Sequence, residues 1–200
     1  MKLQRWAGLV AVLLGLSGPV LAQDASTSAR AVKATAAAQA LDNAMTPGAG
    51  QKKLEPMIGS FDVRILTWVH PDKKPVESKA VCINAWVLDG RYIHSVLSGY
   101  VLDEPFNGIG YTAYDNASKT YQTAWMDTGT TGMVWYRGGF DADGKSATMK
   151  GTVADPITGA PSPVELRLSI TADGNHMSQL WGVGLGKKLV KLMELHYTRR

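Results

Sequence analysis

The chain has 200 residues, of which 45% are apolar, a composition that suits one globular domain with a sizeable core plus some additional chain. Its formal net charge is only +4 and no basic cluster accompanies it, which excludes a nucleic-acid footprint. Cys82 is the single cysteine, which excludes an intrachain disulfide, and its setting in KAVCINAW predicts a buried, inert thiol.

Residues 1–22 have the pattern of a cleaved signal peptide. Lys2 and Arg5 precede a short apolar run that ends in the small-residue cleavage signal at 20–22. The run is too short to cross a bilayer as a helix, and no later stretch is long and apolar enough to do so. We therefore expect cleavage after Ala22 and a periplasmic or secreted protein, with no stable membrane insertion after cleavage. Loss of Lys2 and Arg5 lowers the net charge from +4 to +2.

Residues 23–50 are rich in Ala, Ser and Thr and poor in large apolar side chains. Alanine favours helix, but such a helix has little to bury, so we expect a tether or a marginal helix. The following QKKLEPMIG predicts a short helical turn that ends at Gly59.

From Ser60 onward, short runs rich in Val, Ile, Thr, Tyr and Trp alternate with nine turn signals such as HPDKKP, LDGR and TADGN. These turns divide the chain into ten predicted strands, at 60–69, 76–88, 91–102, 108–114, 120–126, 130–138, 146–154, 163–171, 175–183 and 188–199.

Alternation within the strands predicts one buried face and one solvated face. In VELRLSI, Val164, Leu166, Leu168 and Ile170 share a side, and the polar residues between them share the other. We expect residues 51–200 to form an all-β, ten-stranded antiparallel up-and-down barrel, calycin-like, with a short N-terminal helix at its closed end. Closure removes exposed sheet edges. A β-sandwich is the structural alternative.

The stretch GYTAYDNASKTYQTAWMD predicts a hairpin with an aromatic face. Pairing Tyr114 with Thr120 across the turn DNASK places Tyr111, Tyr121, Thr123 and Trp125 on one face. Asp115 then lies in the turn, about 20 Å from Asp127, at about 3.3 Å per residue. A glycosidase pair needs a separation of about 5 to 9.5 Å, so these carboxylates are not a catalytic pair.

If that face points inward, a ligand-binding cavity is lined by Tyr111, Tyr121, Thr123, Trp125 and Asp127. The alternative is that the rings fill the core and Asp127 caps the turn MDTGT.

Several blocks, in this order, resemble the bacterial domain of unknown function 1579 family. They are KKLEPMIGSF, LDGRYI, FNGIGYTAYDNASKTYQTAWMDTGTTG, DPITG and MELHYTRR, and they run from about residue 47 to the C-terminus. The resemblance implies an exported β-barrel-like domain with no established activity.

The chain is also similar to the wider calycin group, which includes lipocalins and fatty-acid-binding proteins. Those folds carry Gly-x-Trp on the first strand and an Arg near the end of the last, and here Gly59-Ser60-Phe61 and Arg199 match, with Phe in place of Trp. The resemblance implies that Phe61 and Arg199 pair at the closed end, where a guanidinium covers an aromatic face. The open end then collects the loops near 70–75, 103–107, 127–130, 155–161 and 184–188.

Enzyme signatures are missing or weak: the chain has no Gly-x-Ser-x-Gly elbow, no phosphate-binding glycine loop and no histidine pair at zinc-site spacing. Glu194 and His196 share a face of the last strand, but two ligands do not make a metal site. We expect no catalytic residues, no metal and no cofactor, although a haem held by His94 or His196 is an alternative for such barrels.

We therefore expect an exported module that binds a small, largely apolar ligand inside the barrel. The alternative is a structural or partner-binding envelope protein with a packed interior, and an enzyme or haem protein ranks third. The sequence leaves the oligomeric state open.

Overall fold

The computed structural model describes residues 20–184 and 188–200, with side chains from residue 28 onward. The chain divides into two compact units, residues 1–42 and 43–200. Most of helix α1 (Val20–Met45) belongs to the first unit, and its described side chains are exposed. Most of the predicted signal peptide lies outside the described residues. Within those residues, no helix has the length and apolar character needed to span a bilayer.

The second unit contains a closed antiparallel barrel of ten strands, in which each strand pairs with the next and β1 pairs with β10. This confirms the predicted fold class. The strands are β1 (Gly59–Thr67), β2 (Val76–Val87), β3 (Tyr92–Val101), β4 (Glu104–Asp115), β5 (Thr120–Asp127), β6 (Val134–Phe140), β7 (Ser146–Ala154), β8 (Pro161–Ile170), β9 (His176–Val183) and β10 (Leu189–Arg199).

The connection between β3 and β4 differs from the prediction. The expected loop at 103–107 is a two-residue turn at Leu102 and Asp103, whose φ angles are 54° and 66°, and β4 already begins at Glu104. Two left-handed residues match the right-handed twist of a tight hairpin, but neither Leu nor Asp signals that conformation as Asn-Gly does. Pro105, which lies within that expected loop, pairs with Tyr100 inside the sheet.

A helical plug, residues 48–58, closes one end of the barrel. It consists of helix α2 (Ala49–Lys52) and a 3₁₀ turn (Glu55–Met57). Between them, Leu54 is buried against the interior, with only 1% of its surface exposed. Gln51 donates from Nε2 to the carbonyl oxygen of Tyr114 at 2.8 Å, and Asn84 donates from Nδ2 to that of Met57 at 2.8 Å. The plug is therefore held by both burial and hydrogen bonds to the wall.

Strand alternation decides which side chains face the interior. On β1, Phe61, Val63 and Ile65 are buried, whereas Asp62 and Arg64 between them are exposed. This period of two continues around the barrel through the pairing register, because residues paired across strands share a face.

Candidate functional site

The β4–β5 hairpin carries most of the predicted ligand-binding residues, and its register differs from the prediction by one residue. Thr120 pairs with Asp115 instead of Tyr114. The turn is one residue shorter because Lys119 adopts a left-handed conformation, with φ of 56°, and Asp115 accepts a hydrogen bond from the Ala117 amide at 2.9 Å. A shift of one residue turns every side chain of β4 to the opposite face.

Tyr111 therefore lies on the outer face of the barrel, and its predicted inward orientation is wrong. It pairs with Ala124, is 40% exposed and stacks on His94, with ring centroids 4.8 Å apart. The inner face of the hairpin instead pairs Tyr114 with Tyr121, and Thr112 with Thr123.

Tyr121 and Thr123 face the interior but already have partners within the protein. The Tyr121 hydroxyl donates to the carbonyl oxygen of Gly50 in the plug at 3.0 Å, and burial raises the pKa of Tyr121 to about 12. The Thr123 hydroxyl lies 3.0 Å from that of Thr112, and both side chains are buried. These two predicted site residues therefore contribute to the closed and central parts of the core.

Trp125 and Asp127 lie on the same inner face, nearer the open end. The Trp125 ring lies flat against β4, because a Cβ atom on Gly108 or Gly110 would fall 2.3 Å or 2.6 Å from it. Trp125 donates from Nε1 to Asp127 at 2.8 Å, and the Gly129 amide donates to the same carboxylate at 2.9 Å. The indole is thus held along the wall instead of across the interior. The two glycines were not predicted as site residues, although alternate glycines opposite a tryptophan are a usable signal.

The interior is packed differently on its two sides. On the β1–β3 side, Ile65 and Leu97 have at most 1% of their surface exposed. Toward the open end on β5–β9, several inward-facing apolar side chains are only half-buried: Trp125, Val134, Val153, Leu166 and Leu180. Tyr136 faces the same region, and burial together with the Asp127 charge raises its pKa to about 12. An apolar inner wall therefore has surface that water reaches.

The rim of the open end carries a depression of about 460 Å³. It lies between the β1–β2 loop and the start of β10, and it is lined by His70, Pro71, Asp72, Lys73, Lys188 and Val190. Residues 185–187, part of the predicted rim, lie outside the described residues. The charges around the depression have both signs, so it favours neither an anionic nor a cationic ligand.

Phe61 and Arg199 meet at the closed end. They are paired in the β1–β10 register, and the guanidinium lies 5.0 Å from the centre of the Phe61 ring. Arg199 also donates to the carbonyl oxygens of Ile58 and Pro56, each at 2.7 Å, and so joins the last strand to the plug.

The closed end also buries His176, which the sequence did not single out. Its ring stacks on Tyr197, with centroids 4.1 Å apart, and meets the Phe61 ring edge-on at 4.7 Å. Burial lowers the pKa of His176 to about 4; a hydrogen bond with the Gly174 carbonyl oxygen opposes this shift, and the Arg199 charge adds to it. The imidazole is therefore neutral near pH 7 and packs as an aromatic ring.

Glu194 and His196 lie on the outer face of β10, with His196 Nε2 at 2.6 Å from a Glu194 oxygen. Lys191 and Gln179 donate to the other oxygen at 2.7 and 2.9 Å. Burial opposes ionisation of Glu194, but hydrogen bonds from Lys191, His196 and Gln179 outweigh it and lower its pKa to about 2. The carboxylate is thus an ionised acceptor within a satisfied surface network.

The remaining candidate groups do not assemble around a common point. His94 and His196 both face outward, so neither is placed to hold a haem inside the barrel. Across the residues that the structure describes, no three His, Cys, Asp or Glu side chains form a group suited to a metal ion. Cys82 is buried, its thiol donates to Asn84 Oδ1 at 3.3 Å, and burial raises its pKa to about 12, so it is a poor nucleophile.

Comparisons with known proteins agree with this architecture. The crystal structure of Rv2717c from M. tuberculosis is similar in fold, with a TM-score of 0.54 at 14% sequence identity, over 78% of this chain and 99% of that one. No curated protein sequence matches the chain. The profile of the family described as "Protein of unknown function (DUF1579)" matches residues 46–199, which include the whole barrel. The chain therefore belongs to the DUF1579 family.

Proposed function

We propose that this protein is an exported binding module that takes a small, largely apolar ligand into the open end of its barrel. The observation that carries the proposal is the position of Trp125, whose ring lies flat on Gly108 and Gly110, packs against the buried apolar cluster of β1–β3, and keeps part of its surface exposed to water. A ring that filled the core would instead project from the wall.

The composition of this region supports an apolar ligand. Ligand pockets are mostly lined by apolar and aromatic groups, with a few polar groups that fix orientation. Trp125, Val153 and Leu180 supply the apolar wall, and Asp127 with Tyr136 supplies polar atoms beside it. Barrels of eight strands already hold one small ligand in some families, and ten strands enclose a wider interior.

In this proposal, the closed end of the barrel blocks entry of the ligand from that side. The plug and the Phe61–Arg199 contact seal that end, so the ligand enters from the other one. Residues 1–22 would direct the protein to the periplasm, and the intact mass of protein recovered from a bacterial periplasm tests cleavage after Ala22.

A blocking substitution tests the binding site. Val153 faces inward near the open end, and its neighbour Thr152 faces outward and is exposed. We expect Val153→Trp to weaken uptake of a fluorescent fatty-acid probe at least tenfold, and the matched control Thr152→Trp to leave it unchanged. Circular dichroism verifies that both variants are folded. Equal probe binding by the two variants, or none by the unmodified protein, contradicts the proposal.

A structural or partner-binding protein with a packed barrel is the second candidate. The feature that favours it is an exposed apolar surface on the outer side of β2–β6, with Ile83, Ile109 and Trp135 among its members. The probe experiment separates the two candidates, because only the first requires an accessible interior.

A further inference from the structure

The outer side of β2–β6 carries apolar residues where a solvated barrel wall would carry polar ones. Three rows cross these strands, because paired residues share a face. The rows are Ile83, Val96, Ile109 and Met126; Ala85, His94, Tyr111, Ala124 and Trp135; and Val87, Tyr92, Ala113, Gln122 and Arg137. We call these residues the outer apolar face. Arg137, at one corner, is its only Lys, Arg, Asp or Glu.

The opposite wall of the barrel shows that this is not a general property of the fold. There the outward positions of β8 and β10 hold ion pairs, including Arg167 with Glu165 at 2.8 Å and Lys191 with Glu194 at 2.7 Å. The outer apolar face, with one charged residue, therefore contrasts with the charged opposite wall. Exposed apolar patches of this kind mark interaction sites.

The size of the outer apolar face fits the centre of a protein–protein interface. Neighbouring strands lie about 4.8 Å apart, so five strands are about 24 Å wide. Outward-facing residues recur at every second position, with a rise of about 3.4 Å per residue, so three rows are about 20 Å high and the face covers about 480 Å². A standard interface buries about 800 Å² on each partner. The face would supply its apolar centre, and Arg137 at its corner would lie in a polar rim together with Lys79 and Arg91.

The surface shape of the outer apolar face is complementary to that of a second copy of the same chain. A groove of about 280 Å³ lies over the small side chains of Ala113 and Ala124, and Trp135, which is 62% exposed, stands at its edge. A projection and a groove on one surface allow two copies to fit each other across a two-fold axis. The uncharged centre adds no repulsion between identical surfaces.

We propose that two copies of this chain form a two-fold dimer through their outer apolar faces, with Trp135 of each copy against the groove of the other. Interfaces of standard size have dissociation constants from micromolar to picomolar. We therefore expect a dimer to predominate in sedimentation velocity at a chain concentration of about 50 µM.

Substitution within the outer apolar face tests the proposal. Ile109→Lys places a charge inside the interface, where burial of an unpaired ammonium is costly, and we expect it to weaken dimerisation at least a hundredfold. The matched control is Ile157→Lys, since Ile157 is 92% exposed in the β7–β8 connection and lies off the face. It should leave the dimer unchanged. Trp135→Lys provides a second test should Ile109→Lys fail to fold.

A wild-type chain that sediments as a monomer at that concentration overturns the proposal. So does a dimer that persists in folded Ile109→Lys or Trp135→Lys protein. Flotation of a monomeric wild-type chain with neutral phosphatidylcholine vesicles, abolished by either lysine substitution, would also overturn it and assign the face to a lipid surface.

Discussion

The closed end predicts a specific dependence of stability on pH through His176. Its pKa is lowered to about 4 in the folded protein, from an ordinary value of 6.5, mainly by burial between Phe61 and Tyr197. Between these two values the unfolded chain binds a proton that the folded protein does not. Stability is therefore fully present above pH 6.5 and is lost as the pH falls toward 4.

The magnitude follows from the two values. At 1.36 kcal/mol for each tenfold change in proton affinity, the difference corresponds to about 3 kcal/mol when the loss is complete. About 2 kcal/mol of this should be lost between pH 7 and pH 5. That is a large share of the 5–15 kcal/mol typical of a folded domain.

Urea unfolding, followed by far-ultraviolet circular dichroism from pH 4.5 to 8, measures this dependence. His176→Phe keeps a ring in the stack and His176→Gln keeps a polar side chain, but neither titrates. In both variants, the free energy of unfolding should fall less steeply between pH 7 and pH 5 than in the wild type, whatever their stability at pH 8. Carboxylates such as Glu194 titrate lower, and they cancel in the difference from the wild type. A slope that is the same in all three proteins would refute the reasoning.

Three further tests, which use five substitutions and chemical denaturation, examine the packing of the barrel. Thr67 Oγ1 is buried with no hydrogen-bond partner among the described residues, so Thr67→Val should be neutral or stabilise the protein by up to about 1 kcal/mol. Thr123→Val leaves the buried hydroxyl of Thr112 unpaired and should destabilise the protein by about 1–3 kcal/mol. Arg199→Met removes two charged hydrogen bonds to the plug and should cost about 2–3 kcal/mol, against less than about 1 kcal/mol for Arg200→Gln, whose ion pair is exposed. Gly110→Ala should displace the adjacent indole, cost about 1–3 kcal/mol and alter tryptophan fluorescence. The packing described would be contradicted if Thr67→Val destabilised the protein more than Thr123→Val, or Arg200→Gln more than Arg199→Met. An unchanged fluorescence spectrum of Gly110→Ala would also contradict it.

The barrel was predictable because its signals are local. Turn residues at about ten-residue spacing and a period of two in the strands predict ten antiparallel strands, and the observed β2, β5 and β7 begin at the predicted residues. The two ends were predictable from strand alternation and from the calycin resemblance.

Register was harder to predict, because it depends on backbone conformation at single residues. In the turn after β4, Lys119 adopts a left-handed conformation that lysine does not signal, and the resulting one-residue shift moved Tyr111 from the inner face to the outer one. Tyr121 and Trp125 kept their predicted face because the shift affects only β4. The outer apolar face could not be predicted from the sequence, since it appears only when the registers of five strands are known together.

Native mass spectrometry of the protein purified from a bacterial periplasm tests the central claim, ligand binding inside the barrel, most directly. Spectra recorded under gentle conditions should contain additional mass that is lost on denaturation, with a value that identifies a small, largely apolar molecule. The Val153→Trp variant should carry less of it than Thr152→Trp. A ligand-free mass in repeated preparations, together with no uptake of an added fatty acid, would contradict the account and favour a packed barrel.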